Sequence, residues 1–170
     1  MATRWGSLWL IRRGGATTGN TVTEQQQRKP WRLTRRVLPQ HTDHAGVMWH
    51  GSYLGWLEEA RVEALQEAGL AYSELSARGF ELPLVSLSIQ YRQALLHGDL
   101  VTLESEVSPQ QGIKLPWSSR FVTADGHVAA EAQVELVLVD LSGGPAQRRL
   151  LRKPPADLKA ALAKLRQGPS

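Results

Sequence analysis

Between residues 39 and 53 the chain reads Pro-Gln-His-Thr-Asp-His-Ala-Gly-Val-Met-Trp-His-Gly-Ser-Tyr, its densest run of polar chemistry. A loop feeding the start of a helix meets amides without intrahelical partners and the positive end of the helix dipole, a setting that holds negative charge. A carboxylate a few residues upstream, here Asp43, can face the same pocket. One carboxylate beside oxyanion-binding amides is the minimal apparatus for attack on an activated acyl group. The same residues admit blander uses. Asp43 could cap the turn that follows it, and Trp49 and Trp56 could line an acyl pocket or pack in the core, with packing favoured for Trp56. His41, Asp43 and His44 could be read as metal ligands, but three candidates in one loop with no distant partner make a poor site, so no metal is expected. Glu58 and Arg61, three apart on a helix, read as a structural ion pair.

These residues need elements to hold them. Residues 31–38 read as a first strand that Pro39 stops. The spacing of Leu54, Leu57, Leu65 and Ala68 predicts a helix from Tyr53 to about Ala68, capped by Ser52 and closed by Gly69. A short helix over 72–78 follows, ending at Gly79. From Leu82 the period becomes two, with strands expected over 82–92, 100–107, 113–123 and 128–139. Asp125-Gly126 is a strong hairpin signal, and Gly98-Asp99, Gln111-Gly112 and Ser142-Gly143-Gly144 mark other strand ends. A basic amphipathic helix over 157–166 finishes the pattern. One helix must then cover the apolar face of a five-stranded antiparallel sheet, an α+β layer arrangement. Its open edge strands invite a second copy, so a homodimer is expected.

The chain has 170 residues, 42% of them apolar, and no cysteine. That suits one domain with a buried core and excludes a disulfide framework or a thiolate zinc site. The net charge of +4 and the pI near 9.8 raise the question of nucleic acid. The distribution answers it. Residues 1–30 carry five basic residues (Arg4, Arg12, Arg13, Arg28, Lys29) against Glu24, and residues 148–170 carry seven against Asp157, which leaves 31–147 acidic. Charge confined to the flanks of an acidic middle is a poor binder of polyphosphate backbones. Residues 1–30 are expected to be a flexible extension, 31–145 the folded domain, and 146–170 a basic C-terminal segment with a short helix. The apolar run at Trp5–Ile11 is too short to span a bilayer, which takes roughly twenty residues, and its arginines follow rather than precede it, unlike a secretory signal. A cytoplasmic location is expected.

The segment HTDHAGVMWHGSYLGWLEEAR resembles the signature of the 4-hydroxybenzoyl-CoA thioesterase-like hotdog family, D-x-D-x-x-G-x-x-x-x-x-x-Y followed by a helix with E-x-x-R. Asp43, Gly46, Tyr53, Glu58 and Arg61 match in place, and the similarity extends over residues 32–140. The resemblance implies a hotdog fold, a five-stranded antiparallel sheet wrapped around one long helix, dimerising or forming a dimer of dimers. It implies Asp43 as nucleophile or general base and the amide of His50 as oxyanion donor. His50 also matches members of the bacterial acyl-CoA thioesterase branch that use a histidine side chain there. Two positions depart from the pattern: His41 stands where its first aspartate is usual, and Pro39 where that branch often has tyrosine.

The function expected is hydrolysis of an acyl-CoA thioester, without a cofactor. Gly46, Trp49 and Tyr53 are the expected substrate contacts, and Arg148 and Arg149 the expected contacts of the nucleotide phosphates. Two alternatives accompany this: hydrolysis of an aryl-CoA such as dihydroxynaphthoyl-CoA or of an acyl carrier protein thioester, and a hotdog protein that binds acyl-thioesters without cleaving them. No G-x-S-x-G elbow, no H-E-x-x-H and no H-x-x-x-G-x-P run is present, which disfavours α/β-hydrolase, zinc-hydrolase and hotdog-dehydratase chemistry.

Overall fold

Alternation of apolar and polar residues makes each central strand dry on one face and wet on the other. The computed structural model describes residues 29–144 and 146–169, so the extension expected over 1–30 lies outside the described residues except for its last two. In chain order the elements are β1 (Trp31–Arg36), α1 (His50–Glu67), α2 (Tyr72–Ala77), β2 (Phe80–Glu81), β3 (Leu84–Tyr91), β4 (Leu100–Val107), β5 (Lys114–Thr123), β6 (Val128–Val137), β7 (Val139–Asp140), β8 (Arg149–Leu150) and α3 (Ala156–Gln167). Five strands form an antiparallel sheet in the order β1-β4-β5-β6-β3, and β2, β7 and β8 form a small second sheet. Sheet and helix are arranged as the resemblance implies, but α1, expected as one long helix, is short: 18 residues, about 27 Å.

The register lines up rows of residues across the large sheet. One row runs Leu33, Leu103, Phe121, Ala130, Tyr91, and the next Trp31, Ser105, Ser119, Ala132, Ile89. The third carries Val107, Trp117, Val134 and Leu87. The first row, apart from the exposed Tyr91, joins Tyr53, Trp56, Leu57 and Ala60 of α1 in one apolar cluster, whereas the third joins Ala64, Leu65 and Ala68 in another. Between the clusters the hydroxyls of Ser105 and Ser119 pair at 2.8 Å, both buried. The opposite sheet face is laced by exposed cross-strand charges such as Arg32 and Arg120 on Glu104.

The second cluster is completed by α3. Leu158, Leu162 and Leu165 are fully buried in it, and the Trp31 indole N–H donates to the Leu165 carbonyl at 2.8 Å. The Lys164 ammonium donates to the Glu67 carbonyl at the end of α1, where orphan carbonyls accept positive charge.

Several boundaries differ from the sequence reading. The first strand ends at Arg36, and the expected strand over 82–92 resolves into β3 with a separate β2 before it. The expected strand over 128–139 divides at Leu138 into β6 and β7, because Val137 and Val139 pair in different sheets. β8 was not foreseen. Nor does the second large strand neighbour the third: β3 pairs with β6 at the far edge.

Candidate active site

Pro39 cannot donate to a strand ladder, and after β1 the chain makes a single 3-10 turn, Pro39–His41. It then folds a tight excursion before α1. Thr42 bridges Met48, the Asp43 amide donates to the Val47 carbonyl at 2.8 Å, and Gly46 turns the chain with φ +77°, a conformation costly for any residue with a β-carbon. The segment after β3 holds this excursion from outside. Val47 bridges Leu96, the Met48 amide donates to the Leu95 carbonyl at 2.8 Å, and the His97 amide donates to the Gly46 carbonyl at 3.1 Å. Asp99 fixes that brace by accepting the Leu96 amide at 2.8 Å.

Within the loop the Asp43 carboxylate has two unequal oxygens. Oδ1 accepts the amides of Ala45 at 2.9 Å and Val47 at 3.1 Å, so the residue does cap its own turn. Oδ2 takes no hydrogen bond among the described residues, and the side chain is exposed. Two bonds at one oxygen orient the carboxylate and leave the other available. Capping and chemistry are therefore compatible in one side chain.

The helix starts earlier than the spacing predicts. Trp49, in an extended conformation, is its N-cap, and His50 is the first helical residue. Ser52, expected as the cap, instead donates its hydroxyl to the His41 carbonyl at 3.0 Å, and the Trp49 amide donates to the same oxygen at 3.1 Å. That doubly used carbonyl fixes the chain's entry angle and lets the helix begin three residues sooner. The Ser52 amide is taken by the Trp49 carbonyl at 3.0 Å, whereas the amides of His50 and Gly51 have no hydrogen bond among the described residues. These are the orphan donors that every helix start presents.

Aromatic rings surround this point. Trp49 is 45% exposed and meets the His50 ring edge-on, with centroids 5.2 Å apart. Beneath the loop, Tyr53 is 2% exposed and packs against Tyr91 and Phe121, with centroids 5.0 Å apart in both pairs. Burial, reinforced by Tyr91, pushes the Tyr53 phenol up to about 12, so it stays protonated at neutral pH. The His41 ring accepts the Leu38 amide and lies edge-on against Trp56. Glu58 and Arg61 pair as expected, with the Arg61 side chain buried. Among the described residues no cluster of side chains could hold a metal ion, and no helix is long and apolar enough to cross a membrane.

A sequence model of the thioesterase-like superfamily matches residues 37–163, most of the chain. The chain belongs to that superfamily. With the membership comes the class of chemistry, hydrolysis of a thioester. A protein of Synechocystis sp. provisionally named an esterase is 37% identical over 133 residues, covering 78% of each chain. The acyl-CoA thioester hydrolase YbgC of Escherichia coli O6:H1 is 28% identical over 132 residues, covering 78% of this chain and 92% of that one. The solved structure of a DHNA-CoA thioesterase from Staphylococcus aureus superposes with a TM-score of 0.70 at 20% identity, covering 79% of this chain and 89% of that one, a likeness of fold.

In this thioesterase-like chain the structure places Asp43 and Gly46 on the loop closed by the His41–Trp49 bond, Trp49 and His50 at the start of α1, and Tyr53 in its first turn. It does not bring Arg148 and Arg149 there. Arg149 lies on β8, beside the cluster that contains the far end of α1, and donates to Asp140 at 2.8 Å. Sequence reasoning passed over three contributors: the His41 carbonyl, the brace at Leu95–His97, and Gly51. Gly98-Asp99 was the available signal for the brace, but as a turn it did not reveal which loop it would support. No side-chain pattern announces a main-chain carbonyl.

Proposed function

We propose that this chain hydrolyses an acyl-CoA thioester to the free acid and coenzyme A, with Asp43 as general base or nucleophile and the His50 amide as oxyanion donor. The observation that carries the reading is the Asp43 carboxylate, oriented through Oδ1 with Oδ2 open, on the loop that leads into the free amides of His50 and Gly51. As general base, Asp43 takes a proton from water while the water oxygen adds to the carbonyl carbon. The resulting oxyanion is held by the helix-start amides; it then collapses, the carbon–sulfur bond breaks, and the thiolate leaves with the electron pair and is protonated. As nucleophile, Asp43 displaces the thiolate to form an anhydride that water cleaves. Neither route needs a strong acid, since a thiol of pKa about 8.5 is a good leaving group. Loss of such an oxyanion donor costs about a hundredfold to a thousandfold in comparable enzymes.

Arg148 and Arg149 are the proposed phosphate contacts. Standing by the far end of α1, they serve a thioester bound at Asp43 of another copy more readily than of their own. A second copy also suits β3, an unpaired edge that exposes Leu84, Val85 and Tyr91. A thiol-release assay over acyl-CoA, aryl-CoA and acyl carrier protein thioesters tests the reading. Turnover of a CoA thioester supports it; binding of every substrate with cleavage of none shows a non-catalytic binder.

A further inference from the structure

The Trp49 indole does not project away from α1. It folds back onto Gly51, so closely that a β-carbon built there would overlap Cη2 and Cζ3 and lie 2.7 Å from Cζ2. A β-carbon on a helix points toward the helix N-terminus, the direction in which the first-turn amides also point. The ring therefore stands on the approach to the free amides of His50 and Gly51, against Gly51 and in T-shaped contact with the His50 ring. At 45% exposure it is not locked by packing.

We propose that Gly51 is a positioning residue whose bare α-carbon seats the Trp49 indole, and that the seated indole gates the thioester carbonyl's access to the helix-start amides. The inference rests on the function proposed above and adds a controlling element to that site. While the ring is seated, the amides are covered. A thioester binds only the fraction of molecules with the ring displaced, so its apparent affinity is lowered by that fraction. An edge-on aromatic contact makes the seated state favoured by about two- to tenfold. Removing the seat returns that factor to the substrate.

Gly51→Ala is the direct test. Alanine is the better helix former, so the variant retains α1. Acrylamide quenching of tryptophan emission, with the Trp49 share assigned by difference from Trp49→Phe, reports the ring: it is more quenchable in Gly51→Ala than in the native chain. Thiol-release kinetics with benzoyl-CoA and decanoyl-CoA report the gate: KM falls about two- to tenfold in Gly51→Ala. In a Trp49→Ala background Gly51→Ala has no further effect on KM. Unchanged quenching and unchanged KM in Gly51→Ala overturn the proposal. So does a rise in KM for Trp49→Ala alone, which would make the ring a wall of the acyl pocket. If the native chain cleaves no thioester, the functional reading fails, yet the gate is still read from S-phenacyl-CoA, a thioether that resists hydrolysis. Tighter binding to Gly51→Ala by the same factor sustains the gate, and equal or absent binding ends it.

Discussion

The carbonyl oxygen of His41 accepts the amide of Trp49 at 3.1 Å, closing the excursion over residues 42–48 that carries Asp43. This one bond joins the strand side of the loop to the first turn of α1, so a carboxylate and a set of free amides are held in a common frame. The site depends on that frame for its geometry.

Replacing Asp43 by Asn separates charge from shape. The amide oxygen of asparagine can still accept the Ala45 and Val47 amides, so the loop stays closed and the melting temperature moves by no more than about 2 °C, the scale of a fraction of a kcal/mol. Activity on a CoA thioester falls about 10²- to 10⁴-fold in kcat. Activity that persists at the native rate would leave Asp43 with only its capping role.

The buried hydroxyl pair between the core clusters predicts non-additive stability. Ser105→Ala leaves the Ser119 hydroxyl without its partner in a dry layer and costs about 1–3 kcal/mol. Ser105→Ala with Ser119→Ala removes both hydroxyls and recovers most of that loss. Urea denaturation of the four proteins measures the coupling, and strict additivity would argue against a paired bond.

Asp140 links β7 to the turn that follows and to β8. Hydrogen bonds from Ser142, and then from the Arg149 guanidinium, push its carboxyl down to about 2 from an ordinary 3.8. A folded-state pKa below the unfolded one contributes stability that is fully present above about pH 4 and disappears as pH falls through about 2. Asp140→Asn should therefore melt below the native chain at pH 7, with the difference narrowing between pH 4 and pH 2. A gap that stays constant with pH would assign the loss to packing alone.

Leu162 tests whether the C-terminal helix belongs to the core. Its side chain is 2% exposed among Leu158, Leu165 and residues of the sheet. Leu162→Ala should cost about 2–5 kcal/mol by transfer and cavity terms. In a chain of this size that lowers the melting temperature by roughly 4–20 °C, at about 2–4 °C per kcal/mol.

The β3 edge gives the assembly prediction. Sedimentation at micromolar concentration is expected to show a dimer, and Leu84→Glu with Val85→Glu to shift it toward monomer. Both side chains are about half exposed in one chain, so the fold itself tolerates the charges. A native chain that sediments as a monomer would remove the shared-edge proposal.

Much of this protein was legible along the chain. Periodicity located α1, α2, α3 and the five large strands, because which side of an element is apolar is written in its own residues. The run from Asp43 to Tyr53 identified the loop, since its residue types and spacing are local. Tertiary structure decided what depends on distant partners. β3 went to the edge beside β6 because strand order follows pairing energies between segments far apart in sequence. Arg149 went to Asp140, away from Asp43, because β8 completes the small sheet. Ser52 lost the N-cap position to Trp49 and turned its hydroxyl to a carbonyl eleven residues earlier, and Gly51 acquired the Trp49 ring. Backbone carbonyls and bare α-carbons have no sequence signature until folding brings another residue against them.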